Sequence, residues 1–432
     1  MHRILRLLLL GTIIAAVVFL SHNSPHQWEE PPAVYSSISA LEQRPDRHSL
    51  SQGVLSQAWA FDSESDATNY GLSEEQCALA FPQLYFEVDR AVSFWRKINH
   101  TITPDDIGIS WRSDGAFRVL IHDNKLRVLE TRIFETKQAY GNHTHRASAV
   151  LNQLNRALIG ATSTRETFRA MEFSVVVDDL SLIPNRENDT HTVMHFARRI
   201  IDTDQDRIWL IPDFNFWSAP AAGGIVEYEE ARQLAKQHDS LLVNKTPRAV
   251  WRGALWTNRE LRGALLNATA NKPWADVMEI DWTNQENMIR TEDICDYMFL
   301  LHTEGQSWSG RLKYLLNCNS LVLVHDLEWR THFYHLLVSS GPDQNYIPLK
   351  RDFSNLEEKV SWLLDNPNYA QQVADNAVVT FRKRYTTPAA AACYWRQLLR
   401  SWNTVAFTPD PYEKENELGQ RGLRGIAWED FL

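Results

Sequence analysis

The spacing of hydrophobic and polar positions changes several times along the chain. Between residues 72 and 97, apolar residues recur at helical spacing behind Ser73 and two acidic residues, which predicts helical structure. Between residues 116 and 130, apolar and polar residues alternate on both sides of the sequence HDNK, which predicts a β-hairpin. We therefore expect the body of the protein to begin with helices and an antiparallel pair of strands.

From residue 147 onward, short apolar runs alternate with amphipathic stretches. The runs predict strands, with the loops that follow them, over 173–177, 209–217, 249–254, 296–305 and 320–326. The amphipathic stretches predict helices over 147–159, 228–237, 258–270, 309–319, 356–364, 369–384 and 389–402. Strands that alternate with helices are typical of parallel sheets with crossover connections. The fold class is therefore predicted to be α/β, with too many units for one small sheet, so we expect two sheets.

The first apolar run, ILRLLLLGTIIAAVVFL at 4–20, has basic residues before and within it and no acidic residue before Glu29. A cleaved signal peptide and an uncleaved membrane anchor both begin in this way. No good cleavage site follows the run, so we favour an anchor, and its length suits the thinner membranes of the early secretory pathway. The charge bias predicts a cytoplasmic tail at 1–3 and a lumenal body. Residues 21–66 are polar and aperiodic, as in a stem or linker.

Two further features agree with a lumenal body. N-x-S/T sequons occur at Asn99, Asn142, Asn188, Asn244 and Asn267. The chain also has an even number of cysteines, Cys77, Cys295, Cys318 and Cys393. An even, small number in an oxidising compartment predicts two disulfides, and the absence of a C-x-x-C pair argues against structural zinc.

The composition narrows the class of protein. A chain of 432 residues is long enough for two or three domains. Its 44 basic and 54 acidic residues give a net charge of −10, which argues against a nucleic-acid partner. Apolar residues at 44% and charged residues at 23% are close to globular averages and exclude disorder of the whole chain. The 16 tryptophans indicate deep packing more than platforms for flat ligands.

Three places in the predicted α/β units carry candidate chemistry. Asp178 and Asp179 end an apolar strand, where ligands of open α/β sheets bind, although an aspartate that caps the next turn gives the same pattern. Ser309 and Arg311 open a predicted helix, where backbone N–H groups and an arginine can bind a phosphate or pyrophosphate. A surface arginine on an ordinary capped helix is the alternative there. Arg252 directly follows a strand, next to a glycine that permits close backbone approach.

Two patterns resemble metal sites. Asp202 and Asp204 form a D-x-D sequence, as at the start of an EF-hand loop or in the manganese site of one class of sugar-nucleotide transferases. Arg207 stands where a calcium loop needs glycine, so a solvated turn is favoured. His191 and His195 lie four residues apart on a predicted helix, without the glutamate of an HExxH zinc site. We therefore predict no metal site.

Four segments, in order, resemble glycosyltransferase family 90. They are WRGA at 251–254, TEGQSWSGRLKYLLNCNSLVLVHDLEW at 303–329, HFYHLL with GPDQNYIPL within 332–349, and CYWRQLL at 393–399. The family includes fungal capsule-associated xylosyltransferase-like proteins and animal protein O-glucosyltransferases. The resemblance covers about residues 72–402 and is strongest over 248–402.

The resemblance implies a GT-B-like fold of two Rossmann-like domains with a closing C-terminal helix, preceded here by the single membrane anchor. It implies an N-terminal acceptor and catalytic-base domain at 67–240. A UDP-sugar-binding domain with the closing helix would occupy 241–402, and a C-terminal tail would occupy 403–432.

The resemblance also assigns roles to residues. The family's catalytic aspartate follows a strand that starts Met-Glu, and MEFSVVVDD at 171–179 matches it with Asp179 in the catalytic position, while Asp178 could substitute in part. The family's donor-binding residues correspond to Arg252, Gly253, Gly305, Ser309 and Arg311. Glu304 stands where the glucosyltransferases have an arginine, so the identity of the sugar is not carried over.

The cysteine pairs can be assigned on the same basis. Cys295 begins the strand that enters the phosphate loop, and Cys318 ends the helix that leaves it, so we predict a disulfide between them. Cys77 and Cys393 lie in the first and last helices of the body, and the family's chain crossing implies that they pair.

Together, these features predict a membrane-anchored lumenal glycosyltransferase. It would move a sugar, xylose or glucose, from a UDP-sugar to a hydroxyl of a glycan or glycoprotein, with inversion and with Asp179 as general base. No cofactor is required in this prediction, and Mn²⁺ is not favoured. The alternatives are a catalytically silent lumenal carbohydrate-binding protein and a metal-dependent GT-A transferase that uses Asp202 and Asp204. The chain ends in EDFL and not in an ER-retention tetrapeptide, so we expect a single-pass type II protein of the Golgi membrane, with the ER as the alternative.

Overall fold

The computed structural model describes residues 59–133, 143–184, 189–218, 226–281, 283, 286–415 and 417–431. The predicted anchor at 4–20, most of the predicted stem, and the sequons at Asn142 and Asn188 lie outside these residues. Within the described ranges, no helix is both long enough and apolar enough to cross a membrane.

The α-helices of the described residues are α1 (Glu74–Ala80), α2 (Phe86–Lys97), α3 (His143–Ser163), α4 (Tyr228–Gln237), α5 (Arg259–Thr269), α6 (Leu312–Leu315), α7 (Leu356–Asp365), α8 (Pro367–Ala377), α9 (Pro388–Trp402) and α10 (Trp428–Phe431). A π-helix, Val378–Tyr385, follows α8 directly. The strands are β1 (Ala116–His122), β2 (Lys125–Arg132), β3 (Met171–Val176), β4 (Met194–His195), β5 (Arg198–Arg199), β6 (Trp209–Leu210), β7 (Thr246–Gly253), β8 (Ala275–Glu279), β9 (Tyr297–His302), β10 (Leu321–His325), β11 (Trp329–Arg330), β12 (Ile347–Leu349) and β13 (Ile426–Ala427).

The first sheet has six strands in the order β13-β2-β1-β3-β4-β6. The predicted hairpin forms β1 and β2, and its turn residues Asp123 and Asn124 have φ values of 49° and 59°. Aspartate and asparagine tolerate this left-handed conformation better than most residues, which explains why the turn falls there. Strand β3 runs antiparallel to β1 and parallel to β4, and every one of its residues is buried. The two aspartates of the sequence MEFSVVVDD therefore emerge just beyond its carboxyl end.

The second sheet has five parallel strands in the order β12-β10-β9-β7-β8. The central strands β9 and β10 are nearly continuous apolar runs because both of their faces are buried. On one face, Leu300 and Val322 belong to the core that also contains the apolar residues of the first sheet. On the other face, Phe299 and Leu323 pack in a second core with α5, α7 and α8. A mixed α/β architecture with parallel strands is thus confirmed.

Helix α9 returns the chain to the first sheet. The hydroxyl of Tyr394 donates to the carbonyl of Leu210 at 2.8 Å, and the Trp402 indole donates to the carbonyl of Glu172 at 3.1 Å. Both predicted disulfides are confirmed. The Cα atoms of Cys77 and Cys393 are 5.7 Å apart, and those of Cys295 and Cys318 are 5.1 Å apart.

Several predicted elements differ from the structure. The helical pattern over 72–97 forms two helices, because Pro82 falls between α1 and α2 and proline cannot donate the hydrogen bond that a continuous helix needs. The strand predicted over 209–217 ends at Leu210, since Pro212 follows and the Asp213 side chain accepts from the backbone N–H of Asn215 at 2.8 Å, which starts a 3₁₀ turn. The helix predicted over 369–384 begins as α8 and continues as the π-helix.

The C-terminal segment is more ordered than the predicted tail at 403–432. Strand β13 extends the edge of the first sheet, with Ile426 opposite Val128 of β2. Gly425, immediately before it, has a φ of 73°, and a Cβ at this position would lie 2.4 Å from the carbonyl oxygen of Val128. The close approach of the two backbones therefore requires glycine there.

Candidate active site

The order of the parallel strands defines a crevice in the second sheet. The connection after β7 leads to β8 on one side, and the connection after β9 leads to β10 on the other side. Ligands of open α/β sheets bind where connections diverge in this way, outside the carboxyl ends of the two central strands. Those ends are Gly253 of β7 and His302 of β9.

Arg311 lies at this crevice, and among the described residues its guanidinium has no hydrogen-bond or ion-pair partner. It is half-buried, and its guanidinium carbon is 5.8 Å from the centre of the Trp251 ring. Burial lowers the pKa of Arg311 to about 10, so it stays charged at neutral pH. The hydroxyl of Ser309 likewise has no partner within the described ranges. An unpaired arginine beside a hydroxyl is suited to an anionic ligand.

Arg252, by contrast, is engaged by the protein. Its guanidinium is held by Asp276 through the carboxylate and the backbone carbonyl, each at 2.7 Å, and it also donates to the carbonyls of Trp251 and Asn287. Four of its five N–H groups are therefore occupied, which leaves one for a ligand. Binding of the donor by Arg252 stays a prediction.

The two glycines predicted at the site have different surroundings. A Cβ on Gly253 would lie 2.5 Å from the Trp251 ring, so glycine here makes room for an indole and not for a ligand. A Cβ on Gly305 would lie 3.5 Å from the Arg262 guanidinium, 3.6 Å from the carbonyl oxygen of Trp308 and 3.9 Å from the Thr257 hydroxyl, all of which are ordinary contacts. The backbone of Gly305 accepts from the side chain of Asn258 at 3.1 Å, which helps to hold the loop after β9.

The helix predicted over 309–319 is much shorter in the structure. Only α6 at Leu312–Leu315 is α-helical, so the predicted bounds of the helix are wrong, and phosphate binding at its N-terminus stays a prediction. The reason for the shorter helix lies at Gly310, where a Cβ would fall 2.3 Å from the Asn215 side chain. This contact fixes the chain in a loop that reaches Arg311 before helical structure begins.

Asp178 is held in a polar network. Its carboxylate pairs with Arg112, accepts the backbone N–H of Asp179 at 2.7 Å, and lies 3.8 Å from Nε2 of His143. The His143 ring is in turn 3.0 Å from the carboxylate of Asp114. Burial alone would raise the pKa of Asp178, but His143, the backbone N–H and Arg112 hold it well below its usual range. Such a carboxylate is a weak base.

Asp179 is more open. Its side chain is 43% exposed, and one carboxylate oxygen accepts from Arg146 at 2.9 Å. The other oxygen has no hydrogen-bond partner among the described residues. The guanidinium of Arg146 also donates to the carbonyl of Val177 at 3.0 Å and lies 4.6 Å from the centre of the Phe214 ring. The carboxylate of Asp179 is therefore fixed in position and still accessible to a ligand.

The loop after β9 joins this aspartate to the crevice. The hydroxyl of Ser307 donates to the backbone carbonyl of Asp179 at 2.6 Å. A few residues further on, the ammonium group of Lys313 pairs with Asp213 at 2.8 Å, and both side chains are buried. The chain segment that carries Arg311 is thus attached to the first sheet on both sides of the arginine.

Side chains of both metal-like patterns make hydrogen bonds to nearby backbone groups. Asp202 accepts the backbone N–H of Asp204 at 3.1 Å and caps the 3₁₀ helix Thr203–Arg207. The segment around His191 and His195, considered above as a possible helix, is not helical in the structure. His195 lies in β4 with its ring nitrogens on the carbonyls of Ala197 and Asp178, because a buried strand runs through this segment. In the part of the chain that the structure describes, no three histidine, cysteine or acidic side chains are grouped as a metal site.

Sequence analysis did not identify Arg262 at the crevice, and it named Glu304 without its partners. Arg262 of α5 donates to the backbone carbonyls of Glu304 and Ala254 and stacks on Trp251. Glu304 is buried, and its carboxylate accepts from Arg351 at 2.8 Å and from two backbone N–H groups of the loop after β10. An amphipathic helix and a loop acid carry no local signal for such contacts.

The chain is similar to known proteins over most of its length. The model of the family described as glycosyl transferase family 90 matches residues 73–421. This match extends over most of the chain, so the chain belongs to glycosyl transferase family 90.

Similar curated proteins share shorter stretches. Human protein O-glucosyltransferase 1 is 30% identical over 135 residues, which is 31% of this chain and 33% of that protein. Human protein O-glucosyltransferase 3 is 28% identical over 172 residues, or 37% of this chain and 32% of that protein. The O-glucosyltransferase rumi homolog of Aedes aegypti is 29% identical over 139 residues, which is 32% of this chain and 34% of that protein. The matched stretch spans about a third of the length of each relative.

Proposed function

We propose that the protein is a glycosyltransferase that moves a sugar from a UDP-sugar to a hydroxyl group of a glycan or glycoprotein. One observation carries this proposal. The accessible carboxylate of Asp179 sits on a residue whose backbone is bonded to Ser307, in the loop that leads to the unpaired Arg311. A base and a site for an anionic leaving group thus lie on one short segment of structure, as sugar transfer requires.

The chemistry follows from these groups. An acceptor hydroxyl has a pKa far above neutrality, so a base must take its proton as the new bond to the anomeric carbon forms. A positioned carboxylate such as Asp179 contributes roughly 10²–10⁴-fold to such a step. The bond from the anomeric carbon to the β-phosphate oxygen breaks, and UDP leaves with the electron pair. Arg311 is positioned to stabilise the negative charge that develops on the diphosphate. A single displacement of this kind inverts the anomeric carbon.

The proposal includes a GT-B-like arrangement in which the second sheet binds the donor and the first sheet supplies the base. The divergent connections after β7 and β9 support a nucleotide at that crevice. Xylose or glucose is the sugar we propose, and the relatives that are named O-glucosyltransferases support glucose as the first to test. Glu304 is already bonded to Arg351 and to the backbone, so it acts in this proposal by shaping the loop.

We also propose that the body works in the lumen of the Golgi or the ER, held there by a type II anchor. Two disulfides, one of which joins residues 316 positions apart, support an oxidising compartment. The asparagines of the three described sequons, Asn99, Asn244 and Asn267, are exposed, as an N-glycosylation site requires.

The proposal is tested with the full chain purified in detergent and offered UDP-xylose, UDP-glucose, UDP-galactose and UDP-glucuronate. Release of UDP is followed with and without EDTA. We expect one UDP-sugar to be turned over preferentially, at the same rate in EDTA. Binding of UDP with no turnover of any donor would favour the silent carbohydrate-binding protein, and loss of activity in EDTA would favour a metal-dependent transferase.

A further inference from the structure

His302 is a buried histidine with unsatisfied hydrogen-bonding groups. It is the last residue of β9, at the centre of the crevice, and its side chain is fully buried. Neither ring nitrogen has a hydrogen-bond partner among the described residues. Leaving a buried polar group without a partner costs about 1–3 kcal/mol, so such groups are rarely retained without a reason.

The neighbouring His325 lies in similar surroundings, but both of its ring nitrogens have hydrogen-bond partners. His325 stacks on His302, with ring centres 6.0 Å apart and planes within 7°. Nε2 of His325 accepts the backbone N–H of Glu304 at 3.1 Å, and Nδ1 lies 2.8 Å from the carbonyl of Asp326. Both nitrogens of His325 therefore have protein partners, whereas those of His302 have none.

The charged groups near His302 are cationic. The pKa of His302 is held well below its usual range, mainly by burial. The nearby His325, Arg311 and Arg262 lower it further. The ring is therefore neutral and carries one N–H. Arg262 is bonded only to backbone carbonyls, and the carboxylate of Glu304 is taken by Arg351 and the backbone. The crevice thus offers two cations and an unused N–H donor, with no free carboxylate among its described residues.

We propose that His302 is a binding residue for the donor, and that its ring N–H donates to the diphosphate of the UDP-sugar beside Arg311. This inference rests on the proposed function. Diphosphate oxygens only accept hydrogen bonds, and they are attracted to the positive charge of Arg311 and Arg262. They would therefore supply the negative charge and the acceptor that Arg311 and His302 do not find among the described residues. The N–H of a neutral imidazole adds a donor without adding another charge to a buried site.

The test is calorimetry of UDP and of uridine with the wild-type chain and with His302→Phe and His302→Gln. Phenylalanine keeps the ring shape but removes the donor, so we expect UDP affinity to fall about ten- to a hundredfold. Glutamine keeps an N–H donor and should lose only a few-fold. Uridine affinity should not change, because uridine has no phosphate.

A matched control separates binding from folding. His332 is also fully buried, with an unpartnered Nδ1, but it packs against Phe216 and Tyr394 away from the crevice. His332→Phe should leave UDP affinity unchanged. The melting temperature of His302→Phe should equal or exceed that of the wild type, because two unsatisfied nitrogens are removed.

Three outcomes decide between the proposals. Unchanged UDP affinity in His302→Phe, with a wild type that binds UDP, overturns the role of His302 alone. Equal losses for UDP and uridine would also overturn it, since the contact would then be with the nucleoside. A wild type that fails to bind UDP overturns the proposed function itself. If His302→Phe does not fold, NMR of wild-type protein labelled at histidine provides the test. The ring N–H signal of His302 is assigned by its absence from His302→Gln, and we expect UDP to shift this signal. No shift on addition of UDP would overturn the proposal.

Discussion

Asp178 and Asp179 are neighbours in the chain, yet their surroundings prepare them for different tasks. Asp178 is bonded to Arg112 and to the backbone, and its pKa is held low. Asp179 keeps one carboxylate oxygen open. An acid with a strongly lowered pKa binds protons poorly, which disfavours Asp178 as the base, and the open oxygen of Asp179 can receive an acceptor hydroxyl.

We predict that Asp178→Asn lowers the melting temperature but retains turnover of the UDP-sugar. The amide cannot pair with Arg112 and His143 as the carboxylate does, so the loop after β3 loses part of what holds it. Thermal melting and UDP release on the same preparation provide the check. An inactive Asp178→Asn that melts like the wild type, beside an active Asp179→Asn, would show that the roles are reversed.

His143 should make stability depend on pH in a defined direction. The carboxylate of Asp178, and after it that of Asp114, raises the pKa of His143 above its ordinary value. A raised pKa means that protonated His143 stabilises the folded state fully below about pH 6.5, and that this contribution is lost as the pH rises through the folded pKa. The melting-temperature gap between the wild type and His143→Gln should therefore be largest near about pH 5.5 and shrink toward about pH 8.5. A gap that stays constant over this range would contradict the prediction.

At the scale of elements, the segment between β9 and α6 connects the two sheets. Lys313 and Asp213 form a buried ion pair there, and Lys313 also lies 4.9 Å from the ring centres of Phe216 and Tyr314. A buried pair is costly to break from one side, because the remaining charge has no partner.

We predict that Lys313→Met lowers the free energy of unfolding by about 3–5 kcal/mol, since it leaves Asp213 buried and charged. The double variant Lys313→Met/Asp213→Asn should recover most of this loss, because asparagine carries no charge and still offers an oxygen to the backbone N–H of Asn215. Chemical denaturation of the wild type, both single variants and the double variant measures the coupling. Strictly additive single and double effects would mean that the pair does not act as a unit.

The elements that sequence predicts well are those with local causes. The hairpin is predicted because Asp123 and Asn124 suit the conformation of its turn, and the three central strands of the second sheet, β7, β9 and β10, are predicted because each contains an apolar run. The edge strands β8 and β12 were not predicted, because they are short and carry no such run. The break at Pro82 was not predicted, because apolar residues recur at helical spacing on both sides of the proline. The short length of α6 was not predicted either. That length depends on contact between Gly310 and Asn215, which lie far apart in the chain.

In the candidate site, too, the features with local causes could be predicted, and those that depend on distant residues could not. The strand end at Asp179 and the position of Arg311 could be predicted from motifs and from the carboxyl ends of strands. The bond from Arg146 to Asp179 joins residues 33 apart, and the pair of Arg252 with Asp276 joins residues 24 apart. No local pattern indicates such partners. The engagement of Arg252 by protein groups therefore became visible only in the folded chain.

At the scale of the whole molecule, the reaction we propose divides its two tasks between the two sheets. The first sheet presents Asp179, the second presents Arg311, and the hydroxyl of Ser307 bonds one half to the other. Helix α9 and the disulfide between Cys77 and Cys393 tie the end of the chain back to its beginning. The reaction we propose needs both halves, and each half can be disabled separately.

The decisive measurement is a comparison of Asp179→Asn and Arg311→Ala, each assayed for UDP-sugar turnover and for UDP affinity, with the exposed Arg169→Ala as a control for loss of charge. Asp179→Asn should lose about 10²-fold or more of turnover while its UDP affinity stays near that of the wild type, because only the base is removed. Arg311→Ala should lose about ten- to a hundredfold of UDP affinity, because a charge-assisted contact to the diphosphate is removed. Full turnover in Asp179→Asn, or wild-type UDP affinity in Arg311→Ala, would contradict the division of labour between the two sheets.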